Sequence, residues 1–182
     1  MSDISILGFA GSLREGSYNR ALLDTAAGRA PEGMRIEIFD LASIPLYNRD
    51  VEVQGDPEPV AEFKRRIDAS DGVLIATPEY QHGIPGVLKN ALDWASRPPG
   101  QSVMEGKPVA MMGASPSPVG TARAHLQLRR TLLYLEADIV STPEVLVSSA
   151  SEKFEDGRLV DEDSLGFLDQ LLETFADHIR QR

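Results

Sequence analysis

Gly72-Val-Leu-Ile-Ala76-Thr77-Pro-Glu-Tyr-Gln-His-Gly-Ile-Pro-Gly86 passes from five apolar residues directly into a polar, ring-bearing segment. A short, continuously apolar run is the pattern of a strand covered on both faces, as in a parallel sheet between helices. Pro78 biases Thr77 toward extended backbone, and Pro85-Gly86 sets the start of the next helix. Between the prolines, Glu79, Tyr80, Gln81 and His82 are too polar for core. They are also too rich in planar hydrogen-bonding groups for a simple turn.

The same alternation extends outward in both directions. Ile4–Phe9 reads as a first strand and Arg20–Ala27 has helical spacing. Met34–Phe39 alternates with period two. Asp56-Pro57-Glu58 supplies an N-cap and first turn for a helix striped by Val60, Phe63 and Ile67. After the quoted stretch, Leu88, Ala91, Leu92 and Ala95 share one helical face. Pro108–Gly113 is a second covered strand, a helix follows from about Gly120 to Leu135, and Ile139–Val147 holds a strand interrupted by Ser-Thr-Pro. Leu165, Leu168, Leu172, Phe175 and Ile179 mark a terminal helix. Residues 1–182 are therefore expected to form one α/β domain with a parallel sheet, helices on both faces, and ligands beyond the carboxyl ends of the strands. The loops to inspect are 10–19, 77–86 and 114–120. The long connection 40–56 is a further functional or mobile candidate.

Composition narrows the function. The 182 residues carry a formal charge of −10, which argues against a nucleic-acid binder. Cysteine is absent, so disulfides, thiolate metal sites and a cysteine nucleophile are excluded. Apolar runs fall short of the roughly 20 residues that span a bilayer, and Met1-Ser-Asp-Ile-Ser lacks a basic leader, so a cytoplasmic address is expected. No His or carboxylate pair has metal-ligand spacing.

Gly11 to Gly16 has Walker-A spacing, but Ser17-Tyr18 stands where Lys-Ser/Thr is needed, and G-x-G-x-x-G is missing. Ser12, Arg14, Ser17 and Asn19 still supply donors at a helix start, which suits a terminal phosphomonoester. The alternative is a glycine turn with a serine N-cap. The 77–86 loop suits the edge of a flat heterocycle. Singly, Tyr80 is a half-buried ring, Glu79 a turn cap and His82 a surface histidine. Gly113-Ala-Ser115-Pro-Ser117 fails as a nucleophile elbow because Ser117 stands where glycine is required.

Gly11-Ser-Leu-Arg14-x-x-Ser17-x-Asn19, Ile44-Pro-Leu-Tyr47, Thr77-Pro-Glu-Tyr80 and Pro85-Gly-x-Leu-Lys-Asn-Ala-x-Asp-Trp94 together resemble the NADPH-dependent FMN reductase family, which includes chromate and quinone reductases and azoreductases. The resemblance covers nearly the whole chain in order. It implies a flavodoxin-like, doubly wound, three-layer α/β/α fold with five parallel strands in the order 2-1-3-4-5. It also implies FMN at the strand ends and NADPH or NADH as co-substrate. Gly11, Ser12, Arg14, Ser17, Tyr18 and Asn19 would hold the phosphate end. Pro78, Glu79, Tyr80, Gln81, His82 and Gly83 would run beside the isoalloxazine, largely through main chain, with Ser115 in a third flavin loop. The family usually has Asn at the position of Gln81 and often Ser at that of Gly83, so contacts near the flavin N5 edge differ here. The Ser-Pro-Ser-Pro loop reads as stiffer than a glycine-rich one.

The resemblance further implies ping-pong hydride transfer to a small-molecule acceptor: a quinone, azo compound, chromate or flavin. The chemistry then lies on FMN and no side chain is catalytic. Trp94, Leu126, Leu128, Leu132, Leu133 and Leu135 carry more apolar surface than one sheet face needs, in keeping with a homodimer or homotetramer. The rival readings are a flavodoxin-type electron carrier, which needs a partner reductase, and a flavin-free binding module, which is colourless.

Overall fold

A computed structural model describes residues 4–182; Met1, Ser2 and Asp3, read above for the missing leader, lie outside the described residues. Five strands, β1 (Ile4–Ala10), β2 (Met34–Phe39), β3 (Gly72–Ala76), β4 (Pro108–Ala114) and β5 (Asp138–Val147), form one parallel sheet in the order β2-β1-β3-β4-β5. This is the expected flavodoxin-like order. Every residue of β3 and β4 is buried, as continuous apolar runs require of central parallel strands. The Ser-Thr-Pro interruption is real: pairing jumps from Ala110–Val140 to Met112–Val145. Pro143, which has no N–H to give a ladder, lies in the skipped segment.

Helices α1 (Tyr18–Gly28) and α6 (Glu162–Arg180) contribute Leu22, Leu23, Leu168 and Phe175 to the core on one face, against Ile6, Leu74 and Met112. The other face packs α3 (Glu58–Asp68), α4 (Gly86–Ala95) and α5 (Ala122–Tyr134) over Phe9, Val73, Ile75 and Met111. The long connection holds a 3-10 turn (Leu41–Ser43) and a short helix, α2 (Arg49–Glu52). An antiparallel hairpin of β6 (Phe154–Glu155) and β7 (Arg158–Leu159) precedes α6.

Two expectations change. Asp56 does not cap α3; the helix starts after Pro57 without a side-chain cap, and the Asp56 carboxylate accepts from Lys64 Nζ at 2.7 Å. Trp94 is fully buried, with its indole N–H donating to the Pro45 carbonyl at 2.8 Å, so it belongs to the core and offers no outer surface. Leu128, Leu132 and Leu135 are buried too, whereas Leu126, Leu133 and Tyr134 stand out on the opposite side of α5.

Candidate flavin site at the carboxyl rim of the sheet

At the end of β1 the chain leaves the sheet through Gly11, whose N–H donates to the Ala76 carbonyl at 2.8 Å. Ser17 then starts α1 as its N-cap, its Oγ accepting from Asn19 N at 3.2 Å and Arg20 N at 3.4 Å. Between these points, and among the described residues, the N–H groups of Ser12, Leu13, Arg14, Glu15 and Gly16 meet no protein acceptor. Arg14 has no carboxylate partner there either; its guanidinium lies 5.9 Å from the Tyr18 ring centroid. Unpaired amides, a helix N-terminus and an unpaired cation together form an anion cradle. A cleft of about 520 Å³ opens beside it, lined by Gly16, Ser17, Tyr18 and Phe154 among others.

Asn19 does something else. Its Nδ2 donates to the Ala114 carbonyl at 2.8 Å and its Oδ1 accepts from Ala114 N at 2.9 Å. The buried amide clasps the end of β4 to the start of α1.

After β3, Thr77 N donates to the Met112 carbonyl at 3.0 Å and Pro78 is buried. Glu79 turns its carboxylate to α5, accepting from Arg123 N at 2.9 Å, Ala124 N at 3.1 Å and the Arg123 guanidinium at 2.9 Å. Thr121, the residue at the N-cap position, leaves its buried Oγ1 without a partner, so the loop residue caps the helix in its place. Burial by itself raises the Glu79 pKa; the N–H groups of Ala124 and Arg123 and the Arg123 guanidinium outweigh it and hold the carboxyl below its usual range. The Glu79 side chain is thus committed to α5.

Tyr80 N donates to the Gly83 carbonyl at 2.9 Å and Gly83 N returns to the Tyr80 carbonyl at 3.0 Å. Gln81 (φ 48°) and His82 (φ 64°) between them make a two-residue type I′ turn. Both side chains are exposed. Tyr80 is half exposed, and its hydroxyl lies 3.4 Å from Ser12 Oγ, joining this loop to the first. The turn's far end is fixed by Gln127 of α5, whose Oε1 accepts from Ile84 N at 2.7 Å. Sequence reasoning missed Gln127, because a lone glutamine on a helix carries no motif.

The third loop is held by local and cross-strand hydrogen bonds. Ser115 N donates to the Val147 carbonyl at 2.9 Å, Ser115 Oγ accepts from Ser117 N at 3.1 Å, and Ser117 Oγ accepts from Val119 N at 3.2 Å. Beneath it, α5 buries His125, whose Nε2 has no partner. Desolvation lowers its pKa to about 4, only partly offset by the Met112 carbonyl, so the ring is neutral near pH 7.

The model of the family described as NADPH-dependent FMN reductase matches residues 4–152. The chain belongs to this family. It is similar to an NAD(P)H-dependent FMN reductase of Pseudomonas aeruginosa, 48% identical over 180 residues that cover 98% of this chain and 97% of that protein. A 2-hydroxy-1,4-benzoquinone reductase of a Burkholderia species is 40% identical over 173 residues, covering 94% of each chain. Among solved structures, the flavoenzyme NAD(P)H:(acceptor) oxidoreductase of Paracoccus denitrificans superposes with a TM-score of 0.90 at 35% identity over 98% of both chains.

Membership makes this FMN reductase homologue an enzyme with FMN as cofactor and NADPH or NADH as co-substrate. The donor set fits FMN. The phosphate end needs an anion cradle, and the unpaired amides of residues 12–16, the Ser17 hydroxyl and Arg14 provide one. The planar end needs main-chain groups beside a flat surface. The N–H groups of Gln81 and His82, which have no protein acceptor among the described residues, lie on the turn next to Tyr80.

Proposed function

We propose that the chain, as one FMN-binding domain over residues 1–182, is an NAD(P)H-dependent quinone reductase working by a ping-pong scheme. The observation that carries this reading is the rim itself. The phosphate loop with its unpaired Arg14 and the Tyr80 turn with its unpaired N–H groups are joined where Ser12 meets Tyr80. Bound FMN would supply the redox chemistry, two-electron transfer between NADPH or NADH and the acceptor. Arg14, Ser12 and Ser17 bind its phosphate end by charge-assisted and neutral hydrogen bonds. Gly11 brings the backbone to the cradle, and Tyr18 supports the guanidinium. Pro78, Glu79, Tyr80 and Gly83 would shape the wall along the ring, and the N–H groups of Gln81 and His82 would be available to donate to it. Ser115 closes the third side. No side chain acts as nucleophile or obligatory base.

Quinone is the acceptor class that a relative's name favours; azo compounds, chromate and free flavin are alternative takers of the same electrons. Initial rates with NADPH and a benzoquinone, each varied, test the scheme. Parallel double-reciprocal lines are expected. Intersecting lines, or turnover only with an added partner reductase, contradict it.

The chain's acidic charge and lack of cysteine fit a cytoplasmic enzyme, and no helix among the described residues is long and apolar enough to cross a membrane. We assign the outer face of α5 to assembly as a homodimer or homotetramer. Leu126, Leu133 and Tyr134 there are 69%, 67% and 89% exposed. Light scattering of Leu133→Glu tests this, with dissociation expected.

A further inference from the structure

We propose that Gln127 is the residue that positions the flavin-facing turn, and that Gly83 is glycine because Gln127 lies where its side chain would be. The proposal rests on the flavin reading of the rim.

The Tyr80–Gly83 turn is poorly equipped to hold itself. Its two central residues, Gln81 and His82, both sit in the left-handed region, which disfavours residues bearing a Cβ. A two-residue turn of this type is natural to Asn-Gly, and neither residue stands here. Its own hydrogen bonds are the two between Tyr80 and Gly83. What over-determines its shape comes from α5. Glu79 grips the helix N-terminus at one end of the segment, and one turn further along, Gln127 Oε1 accepts the Ile84 N–H at 2.7 Å at the other. Ile84 is buried, and its N–H has no second acceptor among the described residues.

Gly83 gives the independent observation. Its own φ is not in the left-handed region, so the backbone does not call for glycine. What a side chain would meet is the end of Gln127: a Cβ built there overlaps Gln127 Oε1, so any other residue is accommodated by moving that amide. The glycine and the glutamine are thus two halves of one lock. Any side chain at 83 displaces the amide oxygen that holds Ile84, and the turn carrying the N–H groups of Gln81 and His82 then loses its register against the phosphate loop.

The test titrates apoprotein with FMN and follows hydrogen exchange at the Ile84 amide in four variants. Gln127→Met keeps length but removes the acceptor; it is expected to weaken FMN about tenfold and to speed Ile84 exchange. Gln127→Glu keeps an acceptor oxygen at the same reach and is expected to restore Ile84 protection. Gly83→Ser is expected to resemble Gln127→Met, and Gly83→Ser combined with Gln127→Ala to bind FMN no more weakly than Gly83→Ser alone, whereas additive losses overturn the coupling. Wild-type FMN affinity and Ile84 exchange in Gln127→Met overturn the proposal, as does a neutral Gly83→Ser. If the unaltered chain itself fails to bind FMN, the flavin reading and the turn's flavin-facing role fall together. The Gly83–Gln127 coupling is then still decided by Ile84 exchange and melting temperature in the apoprotein.

Discussion

Removing the Glu79 carboxylate tests how the rim is fastened to the scaffold. The residue accepts two first-turn N–H groups of α5 and one guanidinium N–H, with its side chain only 8% exposed. Glu79→Ala leaves those backbone donors without their cap, typically worth about 1 kcal/mol. It also removes a negative charge from a helix N-terminus, a further 0.3–1 kcal/mol or so. A loss of about 2 kcal/mol is expected, which for a chain of this size lowers Tm by about 4–8 °C. Glu79→Gln, which keeps an acceptor oxygen, is expected to lose less than half of that. The effect has a pH signature. The carboxyl is held below its ordinary value of 4.5, so its contribution is complete above that pH and is lost as the pH falls through the lower folded value. Thermal denaturation of both proteins from pH 7 to pH 3 reads this directly: a constant gap above pH 4.5 that narrows in acid. A gap below about 1 °C at neutral pH, or one that persists unchanged in acid, refutes the capping role.

Three other outcomes follow from the same structure. Arg14→Ala is expected to weaken FMN by about 1.5–3 kcal/mol through loss of a charge-assisted phosphate contact, measured by quenching of flavin fluorescence; unchanged affinity removes Arg14 from the site. Asn19→Ala breaks both buried hydrogen bonds to Ala114 and is expected to cost about 2–4 kcal/mol in urea unfolding. Because His125 is buried neutral with a pKa of about 4, the unfolded chain takes up its proton first on acidification. Stability should fall by about 3 kcal/mol between pH 6.5 and 4, and His125→Leu should flatten that part of the curve.

The sheet was readable because parallel strands buried on both faces leave uninterrupted apolar runs. Met34–Phe39 and Gly72–Ala76 coincide with β2 and β3 residue for residue. Ser-Thr-Pro was readable as a break because proline cannot donate to a ladder. The three rim loops were legible as the segments too polar for core, and a serine N-cap was one of two readings of the first. The roles of Asn19 and Glu79 were not, since their partners lie 95 and 44–45 positions away. Local pattern reports that a polar side chain exists without saying where it turns. The split of α5 was accessible in principle: Leu128, Leu132 and Leu135 follow helical spacing on one side, and Leu126 and Leu133 lie a heptad apart on the other. The β6–β7 hairpin was also written locally, in Asp156-Gly157, whose φ values of 46° and 75° are those of a type I′ turn. Its two-residue strands are too short to give a periodic signal.

Everything about the rim depends on FMN occupying it. Apoprotein titrated with FMN should quench flavin fluorescence to saturation at one equivalent per chain and gain melting temperature. Anaerobic NADPH should then bleach the bound flavin with no other protein present. Fluorescence that stays at the free-flavin level, with an unchanged melting temperature at excess FMN, contradicts the account.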